Sequence, residues 1–180
     1  MTTAQGWDDI LDQDEQILWQ GRPDGTVVIS PLSLLPVLFG LFFAGFALFW
    51  MIMASKAGGI FWMFGLIHFS VGLGLAFGAV FGKPYKYRHT WYTLTNKRAF
   101  IATDLPFRGK RLKSYAIDST SPLSMEDEGR FAAVQFATET YRTKNRTRTR
   151  RVGFNRITDG HHVYRLMRDI HSSDQPGPQS

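Results

Sequence analysis

The stretches LSLLPVLFGLFFAGFALFWMIM, residues Leu32–Met53, and IFWMFGLIHFSVGLGLAFGAVFG, residues Ile60–Gly82, decide the fold of this chain. They are 22 and 23 residues long and contain no Asp, Glu, Lys or Arg. An α-helix of this length measures roughly 33 Å, which is enough to cross the hydrocarbon core of a bilayer. Because only six residues separate the stretches, the sequence predicts a transmembrane helical hairpin over residues 31–82.

Charge is distributed unevenly on the two sides of this hairpin. Residues 1–30 form an acidic head with six acidic residues and one Arg, whereas residues 83–180 carry 19 Lys and Arg against nine Asp and Glu. The turn between the apolar stretches has only Lys56, while several cations follow the second stretch closely: Lys83, Lys86, Arg88, Lys97 and Arg98. By the positive-inside rule, we expect a multi-pass protein of the cytoplasmic (inner) membrane with both termini in the cytoplasm.

Other leading classes are disfavoured by the sequence. The region before Leu32 is acidic where a secretory signal would be basic, and the first apolar stretch is too long for a signal peptide. The chain has no Cys, which excludes disulfides, thiolate metal sites and a cysteine nucleophile.

Small residues recur at four-residue spacing in the second stretch, at Gly74, Gly78 and Gly82. Such a stripe lets a neighbouring helix approach closely. We expect it to pack within the hairpin, against Gly40, Ala44 and Ala47 of the first stretch; self-association into a homo-oligomer is the alternative.

His68 is the readily ionisable residue inside the apolar stretches. A polar side chain in a membrane span suggests a proton or ion role, because burying its charged form in lipid is costly. A neutral imidazole that hydrogen-bonds a backbone carbonyl or Ser70 explains it equally well.

After the hairpin, the pattern changes to short strands. Candidate strands are 90–95, 98–103, 111–117, 131–141 and 149–157, with a turn-rich acidic stretch at 118–129. A helix follows, with Asp159 as the N-cap and an apolar stripe of Val163, Leu166, Met167 and Ile170. We therefore expect an α+β membrane protein whose body, residues 83–171, is a small antiparallel barrel or sandwich covered by the helix, with a disordered tail at 172–180.

The order of these parts resembles the bacterial pleckstrin-homology-like membrane proteins. The resemblance lies in EQILWQGRP (Glu15–Pro23), the double apolar stretch, and YTLTNKRAFI (Tyr92–Ile101). It implies a cytosolic PH-like binding domain in which Tyr92 and Leu94 pack inward, Thr95 and Asn96 shape a turn, and Arg98 begins the return strand. Glu15–Pro23 would either form an extra strand or brace the domain against the membrane. The family motif is structural, so it carries over no catalytic residue.

Five cations stand at every second position in residues 142–150: Arg142, Lys144, Arg146, Arg148 and Arg150. On a strand, this spacing places all five on one face, which is also the face of Val152 and Phe154. We expect a projecting basic hairpin with its turn near Lys144 and Asn145. It could contact anionic lipid headgroups or a protein partner, or be only a solvated tip; nucleic acid is disfavoured because no aromatic residue lies inside the row.

The sequence shows no pattern for catalysis, a cofactor or a metal site. His161 and His162 are adjacent rather than spaced as metal ligands on one helix face. We therefore expect a non-enzymatic membrane protein that binds proteins or anionic lipid through its cytosolic domain. The alternative is an accessory subunit of a membrane enzyme or transporter.

Overall fold

The computed structural model of the protein describes residues 7, 9–28, 31–106, 108–143 and 146–173. These residues form two compact units. One contains residues 25–87, and the other contains the described residues up to 24 together with those from 88 onward. The described residues of the acidic head up to Asp24 therefore belong to the β body, because they contribute a strand to one of the sheets.

The first unit consists of two long helices, α1 (Pro31–Ser55) and α2 (Phe64–Arg88), with a short 3₁₀ helix at Phe61–Met63. Both are long and apolar enough to span a membrane. Helix α2 continues six residues beyond the predicted end at Gly82, so Lys83 and Lys86 lie on its last turns.

Small side chains allow close contact between α1 and α2. A Cβ atom added to Gly40 would lie 2.6 Å from the carbonyl oxygen of Gly72, and one added to Gly72 would lie 2.7 Å from the backbone nitrogen of Ala44. Ala47 and Ala76 are buried as well. The predicted packing face of α1 is confirmed, and its partner on α2 is the face that carries Gly72 and Ala76.

The second unit contains two antiparallel sheets and a helix. Sheet A has the order β1-β2-β3-β4, formed by Ile17–Gly21, Thr90–Thr95, Arg98–Leu105 and Gly109–Ala116. Sheet B has the order β5-β6-β7, formed by Ser124–Glu128, Phe131–Thr143 and Arg146–Ile157. Helix α3 (Gly160–Ser173) follows. Within the described residues, the sheets do not join into a closed barrel.

The structure has seven strands, and two of them, β1 and β5, were not among the five candidate strands of the sequence analysis. Strand β1 pairs with β2, so the segment after Glu15 forms the extra strand that the sequence left open. Strand β5 lies in the stretch predicted to be an acidic turn and pairs with β6. Met125 is the only apolar residue of β5, which explains why its pattern gave no strand signal.

The core between the sheets is aromatic. Phe154 stacks on Tyr92 with ring centroids 4.7 Å apart and meets Phe136 edge-on at 4.8 Å. Helix α3 adds Val163 and Met167, both fully buried, which confirms the predicted apolar stripe. Such aromatic pairs add to the free energy gained from burial alone.

Asp159 precedes α3, as predicted for an N-cap residue. Its backbone oxygen accepts a hydrogen bond from the Val163 N–H at 3.1 Å. Its carboxylate accepts a hydrogen bond from the indole N–H of Trp19 and so ties the start of α3 to β1. At the other end, Ser172 and Ser173 are the last residues of α3, so the helix extends into the predicted tail; residues 174–180 lie outside the described residues.

Candidate functional site

The basic hairpin formed by β6 and β7 extends well beyond the core. Strand β5 pairs with β6 only as far as Gln135, and the outer half of the hairpin is therefore a two-stranded ribbon. All described residues of the ribbon from 140 to 151 are exposed, whereas Val152 and Phe154 are buried. The predictions of a projecting hairpin and of an inward-facing Val152 and Phe154 are confirmed.

The face of each cation follows from the register of the ribbon. Thr143 pairs with Arg146, Tyr141 with Arg148, and Glu139 with Arg150. Residues directly opposite each other in an antiparallel pair share a face. Arg146, Arg148 and Arg150 thus lie on one face, together with Tyr141, and this face continues inward to Val152.

The prediction that all five cations share this face is wrong for Arg142. Arg142 pairs with Thr147, so it lies on the opposite face. The reason is the register of the ribbon: Thr143 pairs with Arg146, so even-numbered residues in the outer part of β6 pair with odd-numbered residues of β7. Lys144 lies outside the described residues.

Two ion pairs lie at the base of the ribbon. Glu139 accepts hydrogen bonds from Lys113 Nζ and from the Tyr115 hydroxyl, both at 2.6 Å. On the opposite face, Glu126 of β5 pairs with Arg151 at 3.2 Å. An electrostatic pairing between the acidic stretch and the hairpin is thus present at Glu126.

Glu139 is the junction between β4 and the ribbon. The hydrogen bonds from Lys113 and Tyr115 lower the pKa of its carboxyl against a smaller opposing effect of burial, and the charges of Lys113 and Arg150 lower it further. Burial has the largest effect on the pKa of Tyr115 and raises it, and the Glu139 carboxylate raises this pKa further. At neutral pH, Glu139 is therefore a carboxylate surrounded by one hydroxyl and two cations.

A different end of the body holds a second charged cluster, around the turn between β2 and β3. The fully buried carboxylate of Glu15 accepts hydrogen bonds from the Arg98 guanidinium and, at 2.6 Å, from Thr95 Oγ1. Burial would raise the pKa of Glu15, but the hydrogen bonds from Arg98, from Thr95 and from the Asp12 backbone outweigh it and lower the pKa to about 2. The same pair raises the pKa of Arg98.

This cluster is structural rather than accessible. Trp7 packs edge-on against Phe100 at 5.2 Å, and the Arg98 guanidinium lies over the ring of Phe100 at 5.1 Å from its centre. Tyr92 and Leu94 are buried, and Thr95 Oγ1 accepts hydrogen bonds from the backbone N–H groups of Arg98 and Lys97. These contacts agree with the roles that the resemblance implied for this hairpin.

In the helical unit, the glycine stripe has a position different from the predicted one. A Cβ added to Gly74, Gly78 or Gly82 would meet nothing within 4 Å, so the stripe does not pack against α1. The physical reason is that α2 turns about 100° per residue, which puts Gly74 roughly 200° from the packed Gly72. The prediction of packing within the hairpin is wrong for these three glycines.

His68 lines a cleft of about 270 Å³ between α1 and α2, whose other walls are apolar. Its Nδ1 lies 3.3 Å from the Phe64 carbonyl oxygen, and its ring packs against Phe64 and Phe43. This contact agrees with a hydrogen bond to a backbone carbonyl, which the sequence offered as one explanation of His68. Within the described ranges, no three His, Asp or Glu side chains are grouped closely enough to hold a metal ion.

Sequence reasoning missed Glu139 and the cations of β4. Glu139 is 26 residues from Lys113, and only the packing of the two sheets brings them together. The signal available in the sequence was the density of cations in GKRLK, residues 109–113, which resembles that of the ribbon. Comparison with known proteins finds no matching family model, no matching curated protein and no matching solved structure.

Proposed function

We propose that this protein is an integral membrane protein that presents a PH-like domain to the cytoplasm and binds anionic surfaces with its β6–β7 ribbon. Two long apolar helices support the membrane anchor. The Tyr92–Arg98 hairpin follows α2 and the body ends with α3, which supports the PH-like assignment because the resemblance rests on this order of parts.

The charges next to the helices support the orientation. The last turns of α2 carry Lys83, Lys86 and Arg88, whereas the turn between the two helices has Lys56 alone. Under the positive-inside rule, the end of α2 lies in the cytoplasm, and so does the β body that follows it. We assign the protein to the cytoplasmic membrane on this basis.

The observation that carries the binding proposal is the exposed face with Arg146, Arg148 and Arg150. Each Lys or Arg near an anionic bilayer contributes about 1 kcal/mol, so these three contribute about 3 kcal/mol together. Tyr141 stands opposite Arg148 and is 48% exposed. Tyrosine is enriched at membrane interfaces, and its position therefore favours contact with a headgroup region.

The test uses full-length protein in nanodiscs, with a fluorophore on a single cysteine introduced at Thr147→Cys, near the end of the ribbon on the face of Arg142, so that the label does not occupy the proposed binding face. Because the chain has no Cys, this label is unique. We expect a quencher attached to lipid headgroups to quench the label in discs that contain anionic lipid and not in neutral discs, with quenching lost in high salt.

Charge variants identify the face. Replacing Arg146, Arg148 and Arg150 by Gln should weaken surface contact by roughly 100-fold, whereas replacing them by Lys should preserve most of it. Replacing Arg142 and Arg151 by Gln is the control on the opposite face, and it should weaken contact less than replacing Arg146 and Arg148 by Gln, which also removes two charges. Equal quenching in neutral and anionic discs would contradict the lipid proposal. A change in the fluorescence of the label on addition of an oligonucleotide, without quenching in anionic discs, would favour nucleic acid instead.

A role as an accessory subunit in a membrane complex is the second candidate. It is favoured by the glycine stripe of α2, which α1 leaves uncovered. A Gly78→Leu variant should then lose a larger complex seen by native electrophoresis, with the β body unchanged. The matched variant Gly72→Leu should instead destabilise the hairpin itself, because its side chain would meet the α1 backbone, with a cost of about 1–3 kcal/mol.

A further inference from the structure

A second group of cations lies on the hairpin formed by β3 and β4. Its tip and outgoing strand carry Arg108, Lys110, Arg111 and Lys113, and all four are exposed. Asp104, opposite Lys110, is the acidic residue in this hairpin. The hairpin therefore has a net positive charge, and its cations are separate from those of the β6–β7 ribbon.

The register places this hairpin at one particular end of sheet A. Thr90, the first residue of β2, pairs with Thr103, and Thr103 pairs with Arg111. One residue further toward the tip, the Asp104 N–H donates to the His89 carbonyl at 3.0 Å, and Asp104 pairs with Lys110. Lys110 is thus two strand spacings, about 10 Å, from His89.

Both connections to the long helices leave sheet A at this same end. His89 directly follows Arg88, the last residue of α2. Strand β1 ends at Gly21, opposite Tyr92, and the next residue, Arg22, places its guanidinium 4.8 Å from the centre of the Trp91 ring. The chain therefore enters and leaves the sheet beside the β3–β4 tip.

An exposed apolar side chain, that of Leu112, lies among these cations on β4. Leu112 lies between Arg111 and Lys113 and is 44% exposed. It pairs with Ala102, which pairs with Trp91, so Leu112 and Trp91 share one face of sheet A. Cations beside an exposed leucine and a tryptophan form the combination that suits the boundary between headgroups and acyl chains.

We infer that the β3–β4 hairpin is a second membrane contact, which holds the body against an anionic bilayer at the end of sheet A from which both helices leave. The inference rests on the proposed membrane anchor. Attraction between a cation and an anionic surface is screened over about 8 Å at physiological salt, so the proposed contact brings the cations of this hairpin to the headgroups themselves.

The test compares three single-cysteine labels in full-length protein in nanodiscs, each at an exposed, uncharged position: Pro106→Cys at the β3–β4 tip, Thr147→Cys on the ribbon, and Ser119→Cys beyond the far end of β4. We expect the headgroup quencher to quench the label at 106 at least about 2-fold more in anionic than in neutral discs. The label at 119 should show no such difference. A double variant, Lys110→Gln with Arg111→Gln, should reduce quenching at 106.

The labels separate this inference from the proposed function. Quenching at 147 without quenching at 106 would overturn the second contact and leave the ribbon proposal standing. Quenching at 106 without quenching at 147 would support the second contact and contradict the role of the ribbon. If neither label is quenched while the protein remains in the disc, both surface contacts are wrong.

Discussion

Arg98 and Arg148 lie in the same β body, yet their surroundings are opposite. The guanidinium of Arg98 is held by the buried carboxylate of Glu15 and lies over the ring of Phe100. The side chain of Arg148 stands on an exposed ribbon, with Tyr141 across from it. One region thus pairs its cation inside the fold, and the other leaves its cations in contact with solvent.

The comparison separates structural charge from charge that is available for binding. Removing one member of a buried ion pair leaves the other charge desolvated, which is strongly destabilising. Removing an exposed cation changes stability little but weakens the field that attracts an anionic surface. Variants of the two regions should therefore affect different measurements.

The largest effect is expected for Glu15→Ala. It leaves Arg98 without its buried partner and removes acceptors for Thr95 and Asp12, so β1 and the head should open more easily, by about 3 kcal/mol. Hydrogen exchange of β1 and β2 in the full-length protein should become roughly 100-fold faster. Asp9→Asn, at an exposed position, is the control, and equal exchange in both variants would show that the pair is not structural.

Acid should weaken the same region. The pKa of Glu15 is about 2 in the folded protein against a usual 4.5, so its stabilisation is present above pH 4.5 and is lost as the pH falls toward 2. The linked free energy is about 3 kcal/mol. Thermal unfolding followed by near-ultraviolet circular dichroism should show this loss in the natural protein and much less of it in Glu15→Gln. A parallel decline of both proteins would sink the assignment.

The smallest effect is expected for Glu139→Gln at the base of the ribbon. Loss of this carboxylate removes a negative charge beside Lys113 and Arg150, so both cations attract anionic lipid more strongly. The salt concentration at which quenching of the label at Thr147→Cys is lost should rise, by an amount equivalent to less than about 1 kcal/mol. Stability should change by no more than about 1 kcal/mol, since the pair with Lys113 is partly exposed to solvent. Glu126→Gln, on the opposite face, should change the release less; an equal change would mean that the two faces do not differ.

Local patterns predicted the elements whose residues are close in sequence. The two apolar stretches, the hairpin from Tyr92 to Arg98 and the stripe of α3 were each visible as a spacing, and the structure contains all of them. Strand β5 was missed because its only apolar residue is Met125.

The remaining differences depend on distances that spacing does not encode. The pairing register of β6 with β7 places Arg142 on the other face of the ribbon. Gly72 and Gly74 are both compatible with a packed stripe, and only the contact with α1 shows which one is used. Glu15 and Arg98 are 83 residues apart, so their pairing requires β1 to be placed first.

Both proposed membrane contacts require that the two long helices cross a membrane with the body on the cytoplasmic side. The direct measurement is labelling of single cysteines in intact cells by a maleimide that does not cross membranes, at Ala57→Cys in the turn after α1 and at Ser119→Cys in the body. We expect labelling at 57 in intact cells and labelling at 119 only after the membrane is opened. Equal labelling of the two positions in intact cells, or release of the protein from membranes without detergent, would contradict this expectation.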